Sequence, residues 1–236
     1  MPALHDVIER CKTRVGGRPP VVVFDLDGTL FDNGPRTWQI LVELAEHEGN
    51  RALRQALDAL PRTALPYLLQ ETMQRAGYED PGLVARAGAF WKARFFTDDY
   101  QRFDEPLTGA LRYVEELYQA GATLAYLSGR DAPKMLVGCA ASLRQHGFPV
   151  GLPRTAIVLK HRFEDLDLDF KREALGFMDD LGVVVATFDN EPANCNLFAD
   201  RWPGALHFFV ETAHAPNPPP LHAAVARIAD LAHMRP

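Results

Sequence analysis

Short runs of β-branched and aliphatic residues punctuate the chain: VVVFDL (21–26), ATLAYL (122–127), TAIVLK (155–160), VVVATFD (183–189) and ALHFFV (205–210). Their apolar positions are continuous rather than alternating, the pattern of strands covered on both faces. The stretches between the later runs, LTGALRYVEELYQAG, DAPKMLVGCAASLRQHG and DFKREALGFMDDLG, carry apolar residues at helical spacing and close on glycine. Strand-helix alternation of this kind predicts an α/β fold, a doubly wound parallel sheet with helices on both faces.

The alternation lapses once. From Gly34 to Phe103 the pattern holds no convincing strand, only helix-like segments with Trp38, Tyr67, Trp91, Phe95 and Phe96 as bulky anchors. We therefore expect a helical unit at 34–103, inserted after the first strand, with residues 1–33 and 104–236 building the sheet core. Ligands of open α/β sheets bind outside the carboxyl ends of the strands, so a unit inserted at that edge would hang over the ligand as a cap. Its aromatic residues read as its own core rather than as a substrate cage. Near the other end, HAPNPPPLHAAVARIADLAHM reads as a proline-rich connection followed by a helix packed on the sheet.

A length of 236 residues allows one sizeable core with a smaller unit beside it. The formal net charge of -6 offers no general attraction for nucleic acid phosphates or anionic membranes, so neither is expected as a partner. Cys11, Cys139 and Cys195 are odd in number and lack metal-ligand spacing, which fits a reducing compartment. The first residues lack a signal-peptide pattern and no run is long enough to span a bilayer, so the expectation is a cytoplasmic protein.

Candidate chemistry begins where the first strand ends. In VVVFDLDGTLF two acids, Asp25 and Asp27, stand two residues apart, and strand alternation would point both to one side. Such a pair repels itself unless a cation offsets it, one acid is protonated, or both sit in water. Asp27-Gly28 is also a good hairpin turn, and that reading stays open here. Further polar groups close other strands: Ser128-Gly129-Arg130 after ATLAYL, and Asp189-Asn190-Glu191 after VVVATFD. A parallel sheet would gather all of them along one edge.

In that order DLDGT, LSGR, a downstream lysine and FDNEPAN resemble the four motifs of the haloacid dehalogenase superfamily, whose hydrolases use an aspartate nucleophile; the resemblance covers about residues 21–210. It implies a Rossmann-like core with a helical cap, and a Mg²⁺-dependent phosphohydrolase acting on a small phosphorylated metabolite. Asp25 would then be the nucleophile that forms an acyl phosphate. Asp27 would protonate the leaving alcohol and later deprotonate water, which requires it protonated at the first step. Mg²⁺ would be held by the Asp25 and Asp189 side chains and the Asp27 carbonyl.

On the same resemblance, Ser128 and the Gly129 amide would bind the phosphoryl group, although a Ser-Gly pair is also an ordinary turn. Lys171 would neutralise phosphoryl charge, with Lys160 as its rival. Thr29 would hydrogen-bond Asp25 or the loop around it, or simply stabilise the turn. Asn190, Glu191 and Asn194 read equally as partners of metal-bound water or as caps of the next helix. Arg130 and Asp131 read as loop ion pairs rather than substrate contacts, and the acidic run EDLDLD (164–169) as a solvated loop and helix cap rather than a second metal site. His161, His207 and His214 show no zinc spacing. Carbon–halogen hydrolysis is the rival chemistry, but relatives that perform it lack the second acid. A phosphomutase or a non-catalytic binding module also fits the pattern, and the oligomeric state stays open.

Overall fold

The computed structural model of the protein describes residues 3–232. In chain order the elements are α1 (Leu4–Cys11), β1 (Pro20–Phe24), β2 (Phe31–Asp32), α2 (Gly34–His47), α3 (Arg51–Asp58), α4 (Leu69–Arg75) and α5 (Pro81–Phe95). A 3₁₀ helix (Asp99–Phe103) leads into β3 (Glu105–Pro106), followed by α6 (Ala110–Gln119), β4 (Thr123–Asp131), α7 (Ala132–Gln145) and β5 (Thr155–Lys160). The chain continues through α8 (Asp167–Leu181), β6 (Val183–Asp189), α9 (Pro192–Arg201), β7 (Leu206–Val210) and β8 (Val225–Ile228).

The six long strands form one sheet in the order β5-β4-β1-β6-β7-β8, every neighbour parallel. Parallel pairing on both sides of β1 removes the hairpin reading of Asp27-Gly28. Helices α1, α6 and α7 cover one face and α8 and α9 the other. Val22, Phe24, Leu124 and Tyr126 side chains therefore join one core, while Val21, Val23, Ala125 and Leu127 join the second. This is the period-2 division of a strand buried on both faces. The order runs outward from β1 in both directions, so the crevice between β1 and β6 is a topological switch point, where such sheets bind ligands.

Residues 34–103 contain helices and no strand. Trp38, Leu41, Leu53, Leu57, Met73 and Leu83 form a hydrophobic cluster separate from the sheet's two cores. The segment leaves and rejoins the sheet through a two-stranded antiparallel ribbon, β2 with β3.

The chain departs from the expected pattern at two strands. Beyond the proline-rich connection, Val225–Ile228 is the edge strand β8 and not a helix. The alanine-rich run has helical spacing, but the open edge of β7 supplies backbone partners that local propensity does not register, and Val225 and Ala226 are buried against it. The expected helix extended to residue 234, and its last two residues lie outside the described chain. In the middle of the sheet, β4 runs past Leu127 through Ser128, Gly129 and Arg130, its register with β5 shifting between Ser128 and Asp131.

Candidate active site

The first strand stops at Phe24, yet the Asp25 amide still donates to the Phe188 carbonyl at 3.0 Å, continuing the contact with β6. The Leu26 carbonyl then accepts from the amides of Thr29, Leu30 and Phe31, which curls the chain into a tight turn. Gly28 sits in that turn at φ +77°, and a Cβ there would come within 2.2 Å of the Asn190 side chain. Only glycine meets both demands. Asp25 thus stays aligned with the sheet while Asp27 turns away, and the two carboxylates find different partners.

Asp25, Lys171 and Asp189 form one cluster. From the second turn of α8, the Lys171 ammonium donates to Asp25 Oδ1 and to Asp189 Oδ2, both at 2.7 Å. Asp189 ends β6, and its Oδ1 accepts from the Glu191 amide at 2.8 Å. Asn194 Nδ2 lies 3.2 Å from both Asp189 oxygens. All three charged groups are buried. Burial pushes the Asp25 carboxyl well above its ordinary value, only partly countered by Lys171. For Lys171 burial alone favours the neutral amine, but Asp189 and Asp25 outweigh it and raise its pKa.

Asp27 belongs to a second cluster, part of which sequence reading missed. Arg130 grips it through two bonds, Nε to Oδ2 at 2.9 Å and Nη2 to Oδ1 at 2.7 Å. Arg36, on α2, approaches Asp27 Oδ1 at 3.3 Å and pairs with Asp104 through Nε at 2.7 Å and through Nη2. Arg130 Nη2 also reaches Asp104 Oδ2 at 2.9 Å. Gln101 accepts from Arg130 Nη1 and donates to the Met135 carbonyl. Burial by itself would raise the Asp27 carboxyl, but Arg130 and Arg36 hold it well below the usual carboxylate range. This environment favours the anion, against the protonated form expected at the first step. Arg130 does make ion pairs, as expected, but within the site, whereas Asp131 is buried and makes none among the described residues. The available signal for Arg36 was a charge placed among the apolar residues of GPRTWQIL.

Ser128 is buried, its hydroxyl oxygen 3.4 Å from the Arg130 amide. A Cβ at Gly129 would lie 2.4 Å from Asp167 Oδ2, so this strand residue leaves its backbone closely approachable. Thr29 is buried with its hydroxyl 3.5 Å from Asn190 Oδ1, and no hydrogen bond joins it to Asp25. Lys160 donates to Asp167 Oδ1 at 2.7 Å and to the Phe163 and Asp165 carbonyls, so its ammonium is committed to its own loop. Neither Asn190 nor Glu191 caps α9 through its side chain: Asn190 holds the Ala213 carbonyl and Glu191 the Ala215 amide. The acidic run likewise provides no side-chain cap, since the residue before α8 is Leu166 and Asp167 and Asp169 fall in the first turn. Half-exposed Tyr67, between α3 and α4, feels the charges of both Glu191 and Asp167, which brings the helical segment to the strand ends.

The Lys171 cluster suits a hard divalent cation. With both acids ionised, two buried carboxylates exceed the one ammonium they share, and a cation would relieve the cost that raises Asp25. Two carboxylates with a backbone carbonyl are also the oxygen donors that Mg²⁺ takes while keeping several waters. Among the described residues no three His, Cys, Asp or Glu side chains converge as a complete cage. The Arg-clamped cluster is charge-balanced and offers a cation nothing.

No family model and no curated relative matches the chain by sequence. Solved structures match its fold. A haloacid dehalogenase superfamily hydrolase, subfamily IA, variant 1, from Geobacter sulfurreducens is similar over 90% of this chain and 92% of its own, at 15% identity and a TM-score of 0.52. A candidate phosphatase from Clostridium difficile covers 82% and 86%, at 18% identity and TM-score 0.53. Protein Tyrosine Kinase A of Mycobacterium tuberculosis covers 90% and 94%, at 17% identity and TM-score 0.57. Names this different on one fold show that the likeness concerns architecture, and the chemistry has to be argued from the site. No helix among the described residues is long and apolar enough to cross a membrane.

Proposed function

We propose that this chain, built on the fold of the haloacid dehalogenase superfamily hydrolases, is a member of that superfamily and a Mg²⁺-dependent phosphomonoester hydrolase. Its substrate is a small phosphorylated metabolite, and its intermediate an aspartyl phosphate. The observation that carries this reading is the Lys171 ammonium bridging Asp25 and Asp189 at the switch point of the sheet.

Lys171 occupies Asp25 Oδ1, which leaves Oδ2 to attack phosphorus. The new oxygen–phosphorus bond forms as the ester bond breaks, and the leaving oxygen departs with the electron pair. The Ser128 hydroxyl and the Gly129 amide supply donors for the phosphoryl oxygens. In the second step water attacks the aspartyl phosphate, Asp27 accepts its proton, and Asp25 is regenerated as phosphate leaves. The arginine clamp leaves Asp27 deprotonated for this second role, though it weakens the carboxylate as a base. It serves proton delivery to the first leaving oxygen poorly, so phosphates of acidic alcohols and phenols should be turned over best. Mg²⁺, held by the Asp25 and Asp189 side chains and the Asp27 carbonyl, would supply Lewis-acid neutralisation of phosphoryl charge. The helical segment acts as a cap that limits substrate size and excludes water.

A panel of phosphomonoesters, assayed with and without Mg²⁺ on wild type and Asp25→Asn, tests the proposal. Metal-dependent phosphate release that the substitution removes is expected. Equal release by both proteins would eliminate Asp25 as nucleophile, and release of halide alone from haloacids would replace the reading with carbon–halogen hydrolysis.

A further inference from the structure

Beside the phosphoryl cradle, three lysines from three elements converge on one aromatic ring. The ring is Phe163, in the loop between β5 and α8. The ammonium groups of Lys134 on α7, Lys92 on α5 and Lys160 at the end of β5 lie 5.2, 5.6 and 5.8 Å from its centroid. Phe96 packs its ring edgewise on the same group, 5.0 Å between centroids, so the helical segment and the sheet core meet here. Contiguity with the candidate active site runs through Asp167. This residue pairs with Lys160 and lies against Gly129, the neighbour of Ser128.

Of the acids that follow Phe163, Asp165 pairs with Arg162, Asp167 with Lys160 and Asp169 with Arg172. Lys160 is buried and has Asp167 as its carboxylate, whereas Lys92 and Lys134 are exposed and have no ion-pair partner among the described residues. A contact with an aromatic face is worth only about 0.5–1 kcal/mol for an exposed cation, too little to explain why like charges gather. Lys134 stands in the first turn of the 14-residue helix α7. Two ammonium groups without an ion-pair partner match the charge of one phosphate dianion, and the paired phenylalanines give the same place an apolar wall.

We propose that Lys92 and Lys134, over Phe163, form a second anion subsite that binds a further phosphate on the substrate, so that the preferred substrate class is a small bisphosphate. The assignment rests on the phosphohydrolase reading and adds to it the group that selects the substrate. The scissile phosphate sits at Asp25, Ser128 and Gly129, and the retained phosphate at the seam where the helical segment meets the core.

The test compares kcat/KM for a ribonucleoside 3′,5′-bisphosphate with those for the matching 3′- and 5′-monophosphates, in wild type and in the double variant Lys92→Met, Lys134→Met. The readout is a ratio within each protein, so a general loss of activity cancels. Wild type is expected to favour the bisphosphate by about tenfold or more, the size of one charge-assisted contact, and chiefly through KM. The double variant should lose that preference, and added salt should erode it in wild type. Equal ratios in the two proteins would overturn the subsite. If neither protein released phosphate from any ester, the failure would lie with the phosphohydrolase reading, and calorimetric binding of the bisphosphate would decide the subsite alone. Weaker binding to the double variant supports it, and equal binding refutes it. Inorganic phosphate binding wild type as tightly as the bisphosphate, and lost in the double variant, would make the seam a site for free phosphate and overturn its assignment to the substrate.

Discussion

Asp25 and Asp189 share a single ammonium, from Lys171, whereas Asp27 and Asp104 share two guanidinium groups, from Arg36 and Arg130. With both acids ionised, the first pair carries surplus negative charge in a buried place. The second is neutral as a unit and tied by planar, bidentate contacts that leave its acids little freedom. The difference separates two tasks. On the proposed reading, a cluster short of positive charge receives a cation and an electrophilic phosphorus, while a balanced one holds a carboxylate still. Arg36 lies on the helical segment and Arg130 on the sheet, so the second cluster also joins the two parts of the molecule.

Breaking the first cluster should have the largest effect on turnover. Lys171→Met is expected to reduce phosphate release from p-nitrophenyl phosphate to background, and Lys160→Met to leave most of it. The reverse order would return the active-site lysine to Lys160. Breaking the second cluster should act first on stability. Arg36→Met leaves Asp104 with one cation and should cost about 3–5 kcal/mol, the range for removing one partner of a buried pair. Urea unfolding measures it, and a loss below 1 kcal/mol, the range of an exposed pair, would show that the clamp is not the buried unit described.

The clamp makes a third, smaller effect visible in the choice of leaving group. Wild type should hydrolyse aryl phosphates faster than alkyl phosphates of similar size. Arg36→Met, by relaxing the grip on Asp27, should narrow that gap by about tenfold, within the range general acid catalysis supplies. An unchanged ratio would sever Asp27 from proton transfer. The smallest effect belongs to Thr29→Val. Its hydroxyl makes only a 3.5 Å contact with Asn190, so stability should fall by no more than about 1 kcal/mol and kcat should stay within a fewfold of wild type.

The comparison also explains what could be read before the structure. Asp25, Ser128 and Asp189 were legible because each lies at the end of an apolar run, and parallel topology carries the carboxyl ends of β1, β4 and β6 to one edge; Lys171, on α8, came from the family resemblance, while the lysine that ends an apolar run was its rival Lys160. The partners of Asp27 were not. Arg36 and Asp104 are 68 residues apart, and their meeting depends on how the helical segment is seated, which no local pattern encodes. The misread strand β8 has the same cause. Its pairing is supplied by the edge of β7, while its alanine-rich sequence carries helical spacing of its own. Strand-end acids follow from topology, but what holds each acid follows from tertiary packing.

The imbalance at Lys171 is the centre of this account, and calorimetric titration with Mg²⁺ addresses it without reference to any substrate. Wild type should bind one Mg²⁺, and Asp189→Asn, which removes the surplus charge while keeping the shape, should bind it at least about tenfold more weakly. Equal affinity in the two proteins, or no binding by wild type at millimolar Mg²⁺, would contradict it.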